Sequence, residues 1–398
     1  MDIILRVGEP DPIEEVLFSR SFCRRYLKVF CDGARRIVQR PPEALVTVGD
    51  LRALTQARIV FLINEDELLV TPHIFRMIPE RLHQDSWWAL APALSPARYP
   101  AQQAPLLYPY HTVRTLLETA DILAASRPAT PRTIEGAAEW TCVFFLTSAL
   151  HSLSTDTPLD TLWPQWAAQG RLGIVDACFV HRFGFVHQSP REDLLRLIPD
   201  HAASVLDVGC AYGALGRHIK KLRPCYVAGI ERNGHMARAA AAHYDAVWVG
   251  SVEDVRWNRR FDAVICGDVL EHLVHPSAVL RRLGDALTDD GVLIASVPNT
   301  GHWSVVMDLA LGRFETVPAG LLCSSHLRFF TEKELLLLLE ESSWAVEQLE
   351  RDQSLPTPAG ARFIEALVSA GLGDEVSLRT ERFRLRARKK KKTTGAGS

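Results

Sequence analysis

"VLDVGCAYGALGRHIKK", residues 205–221, sets an apolar run, an acid and three glycines ahead of a basic segment with helical spacing. Asp207 sits near the end of the run, and Gly209, Gly213 and Gly216 follow it closely. A strand that ends on such a turn leaves backbone N–H groups open at the start of the next helix. Glycine lets the chain bend there and lets a ligand approach the backbone. A dinucleotide calls for G-x-G-x-x-G, with its pyrophosphate on the helix N-terminus. Here Ala211 stands at the second glycine of that pattern, which argues against a nicotinamide dehydrogenase.

Working outward, three more strand ends carry polar groups. "VAGIER" (227–232) closes on Glu231, which follows Asp207 by 231 − 207 = 24 positions. An acid gripping ribose hydroxyls is expected roughly 20 residues on, and a carboxylate accepts from two adjacent O–H groups. "VGSVEDV" (249–255) and "FDAVICGDVLEHLVHP" (261–276) end in the same way. "GVLIASVPN" (291–299) is a further strand candidate, and "LGRHIKKL", "GHMARAAAAHY" and "PSAVLRRLGDAL" are helical patterns between the runs. Strand and helix alternating at this spacing predict a parallel sheet with both faces covered. Open α/β sheets take ligands at the C-terminal strand ends, where all four polar segments fall.

Over roughly 190–350 these residues resemble the class I S-adenosylmethionine-dependent methyltransferases, especially the O-methyltransferase branch around ubiquinone biosynthesis. "DGVLIASVPNTGHWS" (290–304) and "SSHLRFFTEKELLLLLEESSW" (324–344) are similar to later segments of that branch. The resemblance implies S-adenosylmethionine as cofactor, with Asp207, Gly209, Cys210 and Gly213 around its methionine part. It puts Glu231 on the ribose and Arg232 beside the adenine edge, with Ser251, Val252 and Glu253 meeting the adenine. Ser251 stands where the family usually has Asp, so Glu253 is the substitute for the adenine contact. Asp268 would line the pocket near the sulfonium.

Methyl transfer to an alcohol needs alignment and removal of a proton, and an imidazole suits the second task. Three histidines fall in loops expected to face the pocket. His272 is the first choice of base, His326 the second, and His302 an acceptor-positioning residue. Each has an alternative as a hydrogen-bonded loop closer. Glu271, His272 and His275 have a spacing that suits a divalent cation, but no metal is assigned on it. Trp303 and the helix after it suggest an apolar lid or, alternatively, core packing.

Residues 1–187 carry short strand-like runs, "YLKVFC" (26–31), "ARIVFLI" (57–63), "SWWALAPAL" (86–94) and "GIVDACFVH" (173–181), with "PHIFRMIPERL" (72–82) as a helix. Asp32-Gly33 after one run, Asn64-Glu65-Asp66 after another, and the strand-ending His181 look like a degenerate GT-A glycosyltransferase of the family-two kind. That resemblance implies a metal-bound nucleotide sugar at the acidic pair. An active sugar transferase, a retired sugar-binding domain and an unrelated α/β domain remain open.

The fold expected is therefore α/β in two domains, 1–187 GT-A-like and 188–350 methyltransferase. A helical extension over 351–385 and a disordered basic tail over 386–398 are expected after them. Net charge is −2 for the whole chain, yet residues 381–398 hold eight basic residues against Glu381. That tail suggests peripheral contact with an anionic surface, whereas the body offers no field for nucleic acid. Eight cysteines show no metal spacing and suggest a reducing, cytoplasmic setting. No apolar run approaches the ~18 residues of a membrane span. The expected activity is O-methylation of a small-molecule, saccharide or glycolipid acceptor. A bifunctional glycosyltransferase/methyltransferase and a non-catalytic nucleotide-sugar-binding protein are the alternatives.

Overall fold

Strands buried on both faces read as near-continuous apolar runs, and helices must then cover both faces of their sheet. The structure, a computed structural model, describes residues 1–6, 36–40, 44–64, 68–84, 87–127, 129–134, 138–182, 190–317 and 319–390. The chain divides into two units, Met1–Gly184 and Phe185–Ser398.

The first unit is built on strands β1 (Asp2–Arg6), β2 (Arg36–Arg40), β3 (Ile59–Ile63), β4 (Leu68–Val70), β5 (Ala89–Ser95), β6 (Arg132–Thr133), β7 (Cys142–Leu146) and β8 (Leu172–Arg182). Their order is β2-β1-β3-β7-β5-β8-β4, with β6 on β8. The sheet is mixed: β1 runs parallel to β2 and β3, whereas β7 is antiparallel to β3 and β5. Helices α1 (Val48–Leu54), α2 (Ile74–Gln84), α3 (Val113–Ser126) and α4 (Leu159–Ala168) accompany it. On β3, Phe61 and Ile63 pack into one core and Val60 and Leu62 into another, which is why that run has no polar alternation. Asp32, Gly33, Glu65 and Asp66, and the run 26–31, lie outside the described residues. His181 lies on β8, with its Nδ1 against the Tyr110 hydroxyl.

The second unit has strands β9 (Ser204–Val208), β10 (Tyr226–Glu231), β11 (Ala246–Val249), β12 (Phe261–Gly267), β13 (Leu287–Pro298), β14 (Trp344–Gln353) and β15 (Thr380–Lys389). Their order is β11-β10-β9-β12-β13-β15-β14. Five are parallel neighbours, and β15 is inserted antiparallel between β13 and β14. The helices are α5 (Glu192–Leu195), α6 (Ala214–Leu222), α7 (Gly234–Ala240), α8 (Pro276–Asp285), α9 (Trp303–Ala310), α10 (Glu332–Glu341), α11 (Pro358–Ser369) and α12 (Glu375–Arg379). From β9 the chain steps one way to β10 and β11, then returns to the other side for β12 and β13. The strand order thus reverses between β9 and β12, and the crevice at their C-terminal ends is the place such sheets bind ligands.

The expected helical extension and basic tail need correction. Helices α11 and α12 occupy part of 351–385, but the chain then enters β15, and Arg386, Arg388 and Lys389 belong to that strand. The stretch Arg382–Arg388 alternates: Phe383, Leu385 and Ala387 are buried while the arginines take the other face. That is the period of a strand, which the high charge had masked. Arg384 pairs with Glu350 and Asp352, Arg388 with Glu347, and Lys389 with Asp285. The basic charges of 382–390 are thus matched by acids of the same unit, several of them at its surface, which weakens their support for anionic-surface contact. Residues 391–398 lie outside the described residues.

Trp303 is 1% exposed and packs with Ile364 and Leu378, so it belongs to a core and forms no lid. Among the described residues no helix is long and apolar enough to cross a membrane.

Candidate active site

The glycine turn leaves β9 and is pinned across the end of β10. Gly209 and Cys210 both donate their N–H to the carbonyl of Ile230, at 2.8 and 3.1 Å. Gly209 and Gly213 have φ of +75° and +82°, and Ala211 follows them into the left-handed region at +46°. A side chain at Gly213 would put its Cβ 2.9 Å from the Ala240 Cα, so the turn is shaped for glycine there. Gly209 is exposed at the rim, and a Cβ on it would lie 3.0 Å from Val269 in the loop after β12. The two strand ends therefore meet.

Glu231 closes β10 and holds this turn: Oε2 accepts from the Ala211 N–H at 3.0 Å and Oε1 from the Asn233 N–H at 2.8 Å. Each oxygen keeps a further lone pair for a ligand hydroxyl. Asp207 is turned inward. Its Oδ2 accepts from the Tyr244 hydroxyl at 2.6 Å, and that hydroxyl accepts in turn from the Gly216 N–H at 3.0 Å. Burial pushes the Asp207 carboxyl up to about 7, against the pull of Tyr244 and Arg191. Asp207 thus supports the turn and the start of α6.

Arg232 is exposed just beyond β10 and makes the edge of the rim. Past β11, Ser251 Oγ accepts from the Glu253 N–H at 3.1 Å, and Val252 is buried. One Glu253 oxygen accepts from the His275 N–H at 3.1 Å, so this acid, expected on an adenine, also ties down the residue that precedes α8.

Asp268 leads the loop after β12 with a left-handed φ of +56°. Arg191 donates to its Oδ2 at 2.9 Å, Ser296 Oγ to its Oδ1 at 2.6 Å, and Arg382 lies 3.6 Å away. Arg191 also donates to Ser296 at 2.8 Å and pairs with Asp193 at 3.0 Å. Burial works against this carboxylate's charge, but Arg382 and Arg191 outweigh it and hold the group down at about 2.

Three residues further on, Glu271 is wholly buried, and neither carboxylate oxygen has a hydrogen-bond partner. Burial, followed by the charge of Asp268, raises its pKa well above the ordinary range. The segment at 325–328 is stitched to it: Leu327 and Arg328 donate N–H groups to the Glu271 carbonyl, and His272 Nδ1 donates to the Ser325 carbonyl at 3.1 Å. This brings His326 against His272, with ring centroids 4.9 Å apart. Burial, then His272, lowers the His326 pKa to about 4. Two of the expected histidines therefore meet and the third does not. His302 is wholly buried and caps α9, its Nδ1 facing Ser304 Oγ at 2.8 Å. His275, the third member of the cation spacing, is exposed at the start of α8, and His326 occupies the place it was expected to take.

A family model described as "Methyltransferase domain" matches residues 181–349. These residues belong to the class I S-adenosylmethionine-dependent methyltransferases. The mitochondrial ubiquinone biosynthesis O-methyltransferase of Candida albicans is 28% identical over 39% of this chain and 50% of its own length. The ubiquinone biosynthesis O-methyltransferase of Azorhizobium caulinodans is 29% identical over 32% of this chain and 51% of its own. The chain spans about half the length of these relatives. A solved methyltransferase from Mesorhizobium loti aligns over 50% of this chain and 98% of its own, at 19% identity and a TM-score of 0.35.

The methyltransferase domain uses S-adenosylmethionine, and its residues fit that cofactor. The exposed Gly209 backbone offers close approach, and Glu231 has acceptor capacity for the ribose hydroxyls. The cofactor supplies the activated methyl group when bound. Sequence reading missed Arg191, Tyr244, Ser296 and Arg382. Ser296 lay inside a quoted motif, and the alternation of 382–388 was a usable sign for Arg382. Tyr244 and Arg191 carry no local signal, because their roles arise only through contacts made in the fold.

Proposed function

We propose that this chain transfers a methyl group from S-adenosylmethionine to an oxygen of a small-molecule acceptor. The observation that carries the reading is the contact of the glycine turn with the loop after β12, where strand order reverses. On one side are Gly209, Gly213 and Glu231, with Arg232, Ser251, Val252 and Glu253 toward the adenine; Asp207 and Cys210 support the turn. On the other side are Asp268 and the Glu271, His272 and His326 cluster. A lone pair of the acceptor oxygen attacks the methyl carbon, and the carbon–sulfur pair returns to sulfur as a neutral thioether. The hydroxyl proton passes to Nε2 of His272, whose Nδ1 donates to the Ser325 carbonyl. Alignment of the two reactants supplies roughly 7–11 kcal/mol of such a barrier.

The ubiquinone O-methyltransferase relatives support oxygen as the methylated atom. Within small molecules we favour a saccharide or glycolipid, on the sugar-transferase-like pattern of the first unit. The test is calorimetric titration of the full chain with adenosylmethionine and adenosylhomocysteine, then adenosylhomocysteine release with phenol and saccharide acceptors. Micromolar binding and acceptor-dependent release are expected. Absence of binding at millimolar cofactor overturns the reading.

A further inference from the structure

We infer that the second unit carries a further ligand site, a diphosphate-binding pocket at the end of its sheet opposite the glycine turn. A cavity of about 440 Å³ opens there, lined by the loop 256–260 and the end of α8. That loop runs directly into the first residue of β12, whereas Asp268 and the rim follow its last. The 7 residues of the strand put the two ends roughly 20 Å apart.

The lining is basic in a chain whose net charge is −2. Arg256, Arg259, Arg260 and Arg282 face one acid, Asp285, a local balance of 4 − 1 = +3. That acid is itself paired with Lys389 at 2.5 Å. Arg260 reaches Asp289 only at 3.6 Å with both side chains exposed, and such a pair contributes little. Arg259 acts on Asp245 through space, but Asp245 pairs with Lys220. Among the described residues neither Arg256 nor Arg259 has a carboxylate partner. Like charges gathered on one wall repel, and an anion between them relieves that cost.

Two of the guanidinium groups are set by aromatic rings. Arg259 lies 3.9 Å from the Tyr226 ring centroid and Arg282 4.4 Å from that of Trp257. Stacking covers the face of a guanidinium and leaves its donor-bearing edge for another group. Arg282 spends donors on the carbonyls of Val252, Glu253 and Val255 and supplies mainly charge. Arg256 and Arg259 keep theirs. All four cations are arginines, whose fork matches two phosphate oxygens at once. A single phosphate carries at most about −2, so a diphosphate meets the local +3 better. The cavity lies within the roughly 300–1,000 Å³ of small-ligand sites, with room for two phosphoryl groups. Free pyrophosphate and the diphosphate of a nucleotide share this chemistry. The site stands apart from the methyl-transfer reading.

The test is calorimetry on the full chain with pyrophosphate, inorganic phosphate and uridine diphosphate, with and without saturating adenosylhomocysteine. One equivalent of pyrophosphate is expected at roughly tens of micromolar, at least about tenfold tighter than phosphate. Raising ionic strength from about 0.05 to about 0.3 M should weaken it severalfold. Arg256→Gln and Arg259→Gln should each cost about fivefold or more. Arg281→Gln, an exposed arginine of α8 outside the lining, should leave affinity unchanged. Arg256 is exposed, so its variant should keep the wild-type Tm and adenosylhomocysteine affinity. Uridine diphosphate bound more tightly than pyrophosphate, and weakened by the same variants, makes a nucleotide the source; equal affinities make it free diphosphate. Pyrophosphate binding weaker than about 1 mM, binding that survives both variants, or competition with adenosylhomocysteine overturns the site. Single-stranded RNA held by these arginines more than tenfold tighter than pyrophosphate would make this an open polyanion face, and overturns the pocket as well.

Discussion

On the β9–β10 side of the rim the backbone does the shaping. Glycines in the left-handed region and N–H groups on the Ile230 carbonyl and the Glu231 carboxylate make the turn. On the β12–β15 side the shape comes from side chains of distant segments: Arg191 before β9, Ser296 on β13, His326 beyond α9 and Arg382 on β15. The first arrangement suits a ligand that stays constant in chemistry, because backbone groups cannot be exchanged by mutation. The second can be altered residue by residue. The contrast is sharpest in two acids at the ends of neighbouring strands: Asp207 is raised to about 7 by burial, and Asp268 is held at about 2 by its arginines despite burial.

Gly213→Val attacks the backbone half most directly. Its Cβ would stand 2.9 Å from the Ala240 Cα, at a φ that strains a β-branched residue by at least about 1–2 kcal/mol. Backbone cannot swing aside as a side chain can, so a total loss of about 3 kcal/mol or more is expected. Calorimetry should find no adenosylhomocysteine binding, and thermal denaturation should show a lower Tm. Retained affinity would break the view that this turn is made by backbone.

The β12–β15 half should be broken by charge and not by shape. A carboxyl held below its unfolded value adds stability above pH ~4, and that stability is lost as pH falls toward 2. For Asp268 the shift amounts to about 2 kcal/mol, allowing for its 28% exposed side chain. Asp268→Asn should therefore be less stable than wild type at pH 7, with the gap narrowing below pH 4. Asp207 carries the opposite sign: its raised pKa favours the folded state at low pH, and the advantage fades as pH rises from 4 through 7. Asp207→Asn should gain on wild type over that interval. Denaturant melts across pH 3–8 check both, and parallel slopes for the two variants would remove the contrast.

The same division governs what the sequence revealed. The turn, Glu231 and the strand ends were legible because local spacing encodes them. Glu271 and His272 were visible too, but their third partner was sought at His275, four positions along, when the fold supplies His326 from another segment. Arg382 was hidden inside a run of charges whose two-residue period, with Phe383, Leu385 and Ala387 between the arginines, belongs to a strand. Partners that meet only after folding leave no local pattern to read.

Glu231→Ala sharpens the contrast on the ligand side. It removes the acceptor for the Ala211 and Asn233 N–H groups and the proposed grip on the ribose. Cofactor affinity should fall at least about tenfold, or 1.4 kcal/mol, while the loss of stability below pH 4 that Asp268 governs stays as in wild type. Loss of both together would mean that the two halves form one cooperative unit.

Tyr244→Phe is the mildest of these changes and tests whether the halves communicate through Asp207. The substitution keeps the ring, which packs beside Gly213, Gly216 and Gly229, and removes only the hydroxyl. The Gly216 N–H then loses its acceptor and the Asp207 carboxyl its donor, both in buried surroundings. A lost pair of this kind costs roughly 1–2 kcal/mol, less if water enters. Without that donor, the rise in the Asp207 pKa is opposed only by Arg191, the arginine that also holds Asp268. The variant should therefore lose about 1 kcal/mol of stability at pH 5 and more at pH 8, with a modest drop in cofactor affinity. A loss independent of pH would detach Asp207 from the charge network and leave Tyr244 a purely steric support of the turn.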